Sequence, residues 1–475
     1  MKKRTIIWGA LLASWVTLTL ANPDLGNCSS NDPIQPAPAD IYGRVTGEDG
    51  APLDGVAISW NGEAVKTKSD GRFIWRPSAH QSGPIPLTFK KGGYHAQTVM
   101  MNTDVSKNTP LMIKLISTGD PQAIYTISRV TVEPEALAII ADRWGDEFKP
   151  VEYPKQYLDH VITLQPGDDI QAAINEANSV GGGIVFLTEG TYETGSLKLK
   201  SKVTLCGAGR AKTIVKHTGE GNFMDQGASK LTDVIFKDIT LQGGSATKSG
   251  LNLRGDNEDR HERFMWQNVT LKGMGSHGIG ISRVNHIIMD NSLFQYSGTQ
   301  GGLHHNVYFL FVSHVLQSDC DMSFPVEGKA NKYTSTKYLL TQRCVMKDGT
   351  GNGIQADNDQ GGYLFFHKHH ISGFERVAMW FPCEAYYNKF EYTEDPKWVP
   401  QNVILNRCEI IDNTWGAMWR IVRGTSVVMN STFANEKIDM GLLKCEVEMA
   451  GNLFKTGNEM YTDVKQWPEE VKLLW

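Results

Sequence analysis

The chain has 475 residues, a formal net charge of −5, 40% hydrophobic and 21% charged residues, and 47 glycines. Single hydrophobic cores rarely fill such a length, so two or three domains are expected. The composition excludes a disordered, collagenous or multi-spanning chain, and the negative balance argues against a nucleic-acid binder.

Residues 1–21, MKKRTIIWGALLASWVTLTLA, place three cations before an apolar run from Ile6 to Leu20 and end on the small residue Ala21. This is the order of a secretory signal peptide, and the run is shorter than the ~20 apolar residues of a membrane span. A secreted or periplasmic protein, with no transmembrane span after cleavage, is the expectation. Cys28 follows Leu25, Gly26 and Asn27, which loosely resembles a lipoprotein box, and lipid anchoring is the lesser alternative. The seven cysteines are too scattered for a disulfide framework and form no CxxC pair. Cys206, Cys344 and Cys408 sit in apolar strand-like runs and read as small buried hydrophobes.

Residues 22–40 form a polar, proline-rich linker. From 41 to 117 the runs IYGRVT, VAISW, FIW, PLTF and MIKLI alternate apolar with polar residues, with turn signals between them. That pattern predicts a small antiparallel β-sandwich. GRVTGEDGAPLDGVAISW followed by TKSDGRF resembles the carboxypeptidase-regulatory-like module of secreted bacterial proteins. The resemblance implies no catalytic set, and a spacer role is expected. Residues 118–158 read as a connector with one helix in PEALAIIADRW, opened by Pro134 and Glu135.

The segment 159–460 carries a repeat, and 461–475 form a tail. VIFKDITLQG, FMWQNVTLKG, IIMDNSLFQYSG, FLFVSHVLQSD, YLLTQRCVMKDG, LFFHKHHISG, VILNRCEII, VVMNSTFA and VEMAGNLF each give an apolar stretch, a polar break and a second apolar stretch. With breaks at Asp238, Asn268, Asn291, Ser313, Gln342, Lys368, Arg407, Asn430 and Gly451, the spacings are 30, 23, 22, 29, 26, 39, 23 and 21 residues. A floor near the low twenties with only upward excursions is what coils of three short strands give when some turns carry insertions, whereas propeller blades need ~40 to 45 residues. PGDDIQAAINEA, GGGIVFL, GTY and LKLKSKVTLCGAG are similar to the entry of the pectate-lyase-like right-handed parallel β-helix, in which the helix covers the open first coil. The chain is therefore expected to be all-β, a right-handed parallel β-helix preceded by a small antiparallel β-sandwich.

The runs GLNLR, GIGIS, HNVYF, FPVEGK, GIQAD, VAMWF, AMWRI and GLLKC supply one strand per coil to a common sheet. If the apolar members point inward, the outward face carries Asn252, Arg254, Ser282, Asn306, Tyr308, Glu327, Lys329, Gln355, Asp357, Trp380 and Arg420. Insertions at 255–263, 296–305 and 382–400 flank it. Rings along a groove suit sugar faces, and Arg254, Lys329, Lys332 and Arg420 suit carboxylates. An acidic polysaccharide is the expected partner of a monomeric chain.

β-Elimination from a uronic acid needs a neutralised carboxylate, a base for the C5 proton and an acid for the leaving oxygen. Lys329 is the candidate base, Tyr308 its proton partner, and His305 or His304 an alternative at the same place. Arg254, His304, Glu327, Lys332, Asp357, Trp380 and Arg420 are the candidate substrate contacts. GLHHNVYF with FPVEGKA is similar to strands of the alginate-lyase and chondroitinase-B group, although Ala330 and Tyr333 replace the Ser and Arg of that pattern. The resemblance implies a lyase base at Lys329. His277 in SHGIGIS is loosely similar to the Gly-His-Gly of polygalacturonases, but paired carboxylates for hydrolysis are missing. No cofactor is required by this chemistry; calcium held by 256–259 or 355–359 is a second route to neutralisation. A secreted polysaccharide lyase is the first reading, a non-catalytic glycan- or surface-binding β-helix the alternative, and an epimerase or glycoside hydrolase a lesser one.

Overall fold

The computed structural model describes residues 41–47, 51–60, 62–75, 84–92, 94, 97–102, 111–115, 124–244, 246–299, 304–357, 360–382, 399–420, 424–443, 445–455 and 460–461. The signal-peptide and linker readings, Cys28 and most of the 382–400 insertion lie outside them. Among the described residues no helix is long and apolar enough to cross a membrane.

The described residues within 41–115 form two small sheets. One joins Arg72–Trp75, Ile41–Thr46 and Leu111–Lys114; the other joins Glu63–Lys66, Ala57–Trp60, Pro84–Lys90 and Gln97–Asn102. Alternate residues such as Val45, Ile58, Phe73 and Phe89 fill the core. The pairing departs from a purely antiparallel sandwich at one place, where Leu111–Lys114 runs parallel to Ile41–Thr46.

From Val161 the chain winds into a parallel β-solenoid with three faces. One is a twelve-stranded sheet from Val161–Leu164 to Val447–Ala450, and the second an eleven-stranded sheet from Leu197–Leu199 to Met460–Tyr461. The third consists of two five-stranded sheets, linked where Asp321 bridges Leu293 and Val345. Stacked rings such as Phe236 on Trp266 (centroids 5.6 Å apart) and Phe381 on Trp419 (5.0 Å) fill the interior. Helix α1 spans Pro134–Arg143 and α2 spans Ile170–Ser179. Asp169 caps α2 by accepting the Ala172 N–H, and α2 buries Ile170, Ala173, Ile174 and Ala177 in the solenoid core, where the first coils would otherwise be open.

The repeat's polar break is a backbone feature. Asp238, Asn268, Asn291, Asp319, Arg343, Lys368, Arg407, Asn430 and Gly451 all have φ between 46° and 65°. Asn and Asp tolerate this left-handed corner better than most residues, and here they also bond from coil to coil, as in the Asn268 amide donating to Asp238. Two breaks differ from expectation: Ser313 opens a strand and Gln342 ends one, and the corners fall on Asp319 and Arg343.

One expected strand is absent. FPVEGK does not enter the eleven-stranded sheet; Asn331–Thr334 takes its place. Pro325 has no N–H to donate, and Phe324 turns into the left-handed region (φ 55°). The true strand escapes an apolar search because its inward residues are polar. Asn331 and Tyr333 are buried, and Asn331 donates to the Tyr333 hydroxyl, which donates to the Gln317 carbonyl.

The described part of the connector, 124–158, does more than connect. Ala136, Ile140 and Trp144 pack onto Ile235, Met265, Ile288, Leu316, Leu340, Phe365, Ile404 and Val427, the outward residues of the twelve-stranded sheet. Gln267 and Gln342 hydrogen-bond the backbone of Ser128, Thr131 and Glu133. Glu133 is held by Arg343 (2.8 Å), His367 (3.0 Å) and Lys368.

Candidate active site

The outer side of the eleven-stranded sheet carries polar side chains over the middle coils, and Lys332, Gln355 and Asp357 among them are buried. Register places Asn252, Gly280, Tyr308, Lys332, Gln355 and Trp380 in one row, with neighbours ~4.8 Å apart. Lys332 thus occupies the place beside Tyr308 that the sequence pattern assigned to Lys329. Its ammonium lies 5.7 Å from the Tyr308 ring centroid and 3.2 Å from an Asp357 carboxylate oxygen, with both charged side chains nearly buried. Gln355 donates to the other Asp357 oxygen at 2.7 Å, fixing the carboxylate.

Lys329 lies just ahead of that strand, half-buried, and reaches the same place from the preceding loop. Its backbone N–H donates to His305 Nδ1 (3.1 Å), and the His305 N–H donates to His277 Nδ1 (3.1 Å). Each Nδ1 is therefore an acceptor, so each neutral ring carries its proton on Nε2. Glycine permits the approach: a Cβ on Gly328 would lie 1.4 Å from the His304 carbonyl oxygen and 2.8 Å from His305 Nδ1. Gly280 opens the neighbouring strand, where a Cβ would meet His277 Cδ2 at 3.3 Å. The His277 ring lies 5.2 Å from His304, 5.3 Å from His305 and 5.2 Å from Tyr308.

The electrostatics favour neutral bases. Burial, the Lys332 charge and Arg376, opposed by Asp357, lower the Lys329 ammonium to about 8. Burial and the nearby His304 and Lys332 lower His277 to about 4. Burial and Lys329 hold His305 well below the ordinary imidazole value. His304 Nδ1 is buried without a hydrogen-bond partner.

His304, His305, Tyr308, Lys329, Lys332 and Asp357 are thus brought together, while the other four candidate contacts lie elsewhere or farther along the sheet. Arg254 is exposed at the far side, its strand separated from Asp357 by those of Ser282, Leu310 and Thr334. Glu327 sits in an exposed turn, because the strand it was assigned to does not form. Trp380 lies beyond Gln355 along the row. Arg420 ends Trp415–Arg420, and its side chain lies outside the described part of the structure. Asn306 points inward: it is buried, accepts the Ser297 N–H and donates to the carbonyls of Met322 and Ser323. His277 is the residue the sequence reading left out of the cluster; its signal was the glycine on either side of the isoleucine that follows it.

Metal ligation is weakly provided for. Asp256 accepts the N–H groups of Glu258 and Asp259 as a turn former, and Asp357 is paired to Lys332. Among the described residues one group of three ligand side chains converges, Glu133, Glu135 and His367. It lies under α1, where Arg343, Lys368 and Arg407 already neutralise it. His367, His369 and His370 go to three separate partners, Glu133, Thr341 and Glu409. Cys206, Cys344 and Cys408 are buried, as expected.

No protein-family model matches the chain. A stretch of 97 residues is 33% identical to mannuronan C5-epimerase AlgE6 of Azotobacter vinelandii, over 16% of this chain and 10% of that protein. A 97-residue match at 32% identity is found with alginate lyase 7 of the same organism, over 18% of this chain and 11% of that protein. The matched stretch is thus about a tenth of each relative's length. Among solved structures, the A-module of mannuronan C-5 epimerase AlgE4 from Azotobacter vinelandii aligns with a TM-score of 0.45 and 14% identity, covering 62% of this chain and 94% of that one. Polygalacturonase from Erwinia carotovora aligns with a TM-score of 0.38 and 10% identity, covering 66% and 97%.

Proposed function

We propose that the chain acts on an acidic, uronate-containing polysaccharide at this cluster, as a lyase. The observation that carries the reading is Lys329, a lysine whose amine is deprotonated near pH 8, set beside the Lys332–Asp357 pair and the Tyr308 phenol. Lys332 and Arg376 oppose the charge of the C5 carboxylate, which acidifies the C5 proton. The Lys329 amine takes that proton; the C5–H electrons form the C4=C5 double bond as the C4–O4 bond breaks, and Tyr308 donates a proton to the departing O4. His277 and His305, with Nε2–H groups and low proton affinity, serve as neutral donors to sugar hydroxyls. The proposed route to such substrates is export, directed by residues 1–21.

An epimerase reading shares the first step and returns a proton to C5 from the opposite face; the partial matches to one epimerase and one lyase are what favour carrying both. Incubation with mannuronate, guluronate, galacturonate and glucuronate polymers in deuterated water separates them. A lyase yields ultraviolet-absorbing unsaturated ends. An epimerase incorporates deuterium at C5 without chain cleavage. Neither signal with any of these polymers refutes the catalytic reading.

A further inference from the structure

The corner that leaves the third face of the solenoid is a column of aligned positions, Gly273, Tyr296, Phe324, Asp348, Gly373 and Asp412. All six are left-handed, with φ of 75°, 55°, 55°, 52°, 72° and 56° in that order. Glycine adopts this conformation freely and aspartate tolerates it, but tyrosine and phenylalanine there are outliers. The two aromatic residues are on adjacent coils, and their rings stack at 5.1 Å with planes 5° apart. Tyr296 is 48% exposed, so the stack has not formed to fill the core. The strained corner is held by the Tyr296 N–H donating to the Phe324 carbonyl and the Phe324 N–H to the Lys347 carbonyl. Bulky residues such as Arg343 and Lys368 take the same φ at other corners, so what sets this pair apart is two aromatic side chains stacked on adjacent coils with one ring exposed.

The position of the stack points to a use for it. Asn306 binds Ser297, Met322 and Ser323, and so ties both corners to the strand carrying Tyr308. Phe324 stands five residues before Lys329, and His304 and His305 follow Tyr296 in the next segment of the coil. A flat aromatic surface with one open side suits the C–H face of a pyranose ring, while the charges that recognise carboxylates lie in the adjoining cluster.

We propose that the Tyr296–Phe324 stack is a sugar platform at the flank of the cluster, holding a ring of the acidic polysaccharide one or more units from the reacting residue. The platform rests on the uronate reading above. It engages the ground state and the transition state alike, so its loss weakens binding without slowing the chemical step.

The test replaces each ring by a residue that suits the corner, Tyr296→Asn and Phe324→Asn, with Tyr296→Phe as the ring-keeping control. Each Asn variant should melt at or above the parent temperature, because backbone strain is relieved. KM for long uronate chains should rise roughly tenfold with kcat within about twofold, and Tyr296→Phe should match the parent. Direct titration with uronate oligomers of defined length should show the same loss. If the parent turns over a uronate polymer and the Asn variants match its KM, the platform is refuted while the uronate reading stands. If their melting temperature and kcat fall together, the stack is structural and the platform is again refuted. If the parent neither binds nor alters any uronate polymer or oligomer, the uronate reading fails and takes the platform with it.

Discussion

The twelve-stranded and eleven-stranded sheets are built from the same coils, yet their outer faces are opposites. On the first, Ile235, Met265, Ile288, Leu316 and Leu340 point outward and are covered by the 124–153 segment and α1. On the second, Asn252, Tyr308, Lys332, Gln355 and Trp380 form the outward row, and none of them belongs to the α1 cluster. A β-solenoid has an apolar inside on every face; what separates a structural face from a chemical one is the alternate residues. Charged groups occur on both, but in different company. Glu133 on the clad face is surrounded by three basic side chains, whereas on the other face Asp357 pairs with Lys332, and His277, His304 and His305 gather beside Tyr308, Lys329 and Lys332.

Aspartate substitution at outward positions is the sharpest way to break this contrast. Ile288→Asp should bury an unpaired charge and cost more than about 4 kcal/mol, as would a change at inward Ile281, while Asn252→Asp at a half-buried position of the polar face should stay within about 0.5 kcal/mol. Denaturant midpoints measure all three, and equal midpoints for Ile288→Asp and Asn252→Asp would erase the distinction. Lys332→Ala comes next, because it strands the nearly buried Asp357 carboxylate, and a loss of about 3 to 5 kcal/mol is expected in the same measurement. A variant that melts like the parent would show that the pair is solvated.

Lys329→Ala should keep most of the stability and lose at least ~10²-fold in turnover on the polymer identified as substrate. The parent's rate should climb as pH rises toward about 8 and level above it, since the active form is the neutral amine and its conjugate acid is lowered to about 8. A flat profile through that range would remove Lys329 from the base role and move attention to His304, whose Nδ1 is free of hydrogen bonds.

The clad face should show a different pH signature. Burial alone would raise the Glu133 carboxyl, but hydrogen bonds from His367, Lys368 and Arg343 outweigh it and hold the group well below the ordinary glutamate range. Its contribution is thus complete above the unfolded glutamate value and is lost as pH falls through the folded one. The melting-temperature gap between parent and Glu133→Gln should be widest near neutrality and narrow in strong acid; a constant gap would mean that the ion cluster does not act through charge. The smallest effect is expected from deleting residues 22–117, which should leave kcat on soluble polymer unchanged, because the sandwich core and the solenoid core share no residue.

The apolar triplets VIF, FMW and IIM illustrate how far the sequence could be read. Their inward members Val234, Phe236, Phe264, Trp266, Ile287 and Met289 give the coil repeat at once. The middle residues Ile235, Met265 and Ile288 also signal a sheet buried on both faces. They do not say what covers it, since the covering helix α1 carries only an ordinary amphipathic pattern. The cluster was half legible: His304, His305, Tyr308 and Lys329 fall in two short motifs and Lys332 and Asp357 stand out as charged candidates, but the place of Lys332 on the strand beside Tyr308 was hidden because that strand turns the polar residues Asn331 and Tyr333 inward.

Local alternation, turn residues and coil length are properties of consecutive residues, and they determined by themselves an all-β chain, a small sandwich and a long solenoid capped by α2. Which side chains meet was decided only by the tertiary structure. Neighbours on a parallel sheet are a full coil apart in sequence, so each insertion resets which residue stands beside which. Glu327 and Asn306 left the outer face and Lys332 and His277 joined it for that reason, as stacking and buried hydrogen bonds, not the local pattern, set the register.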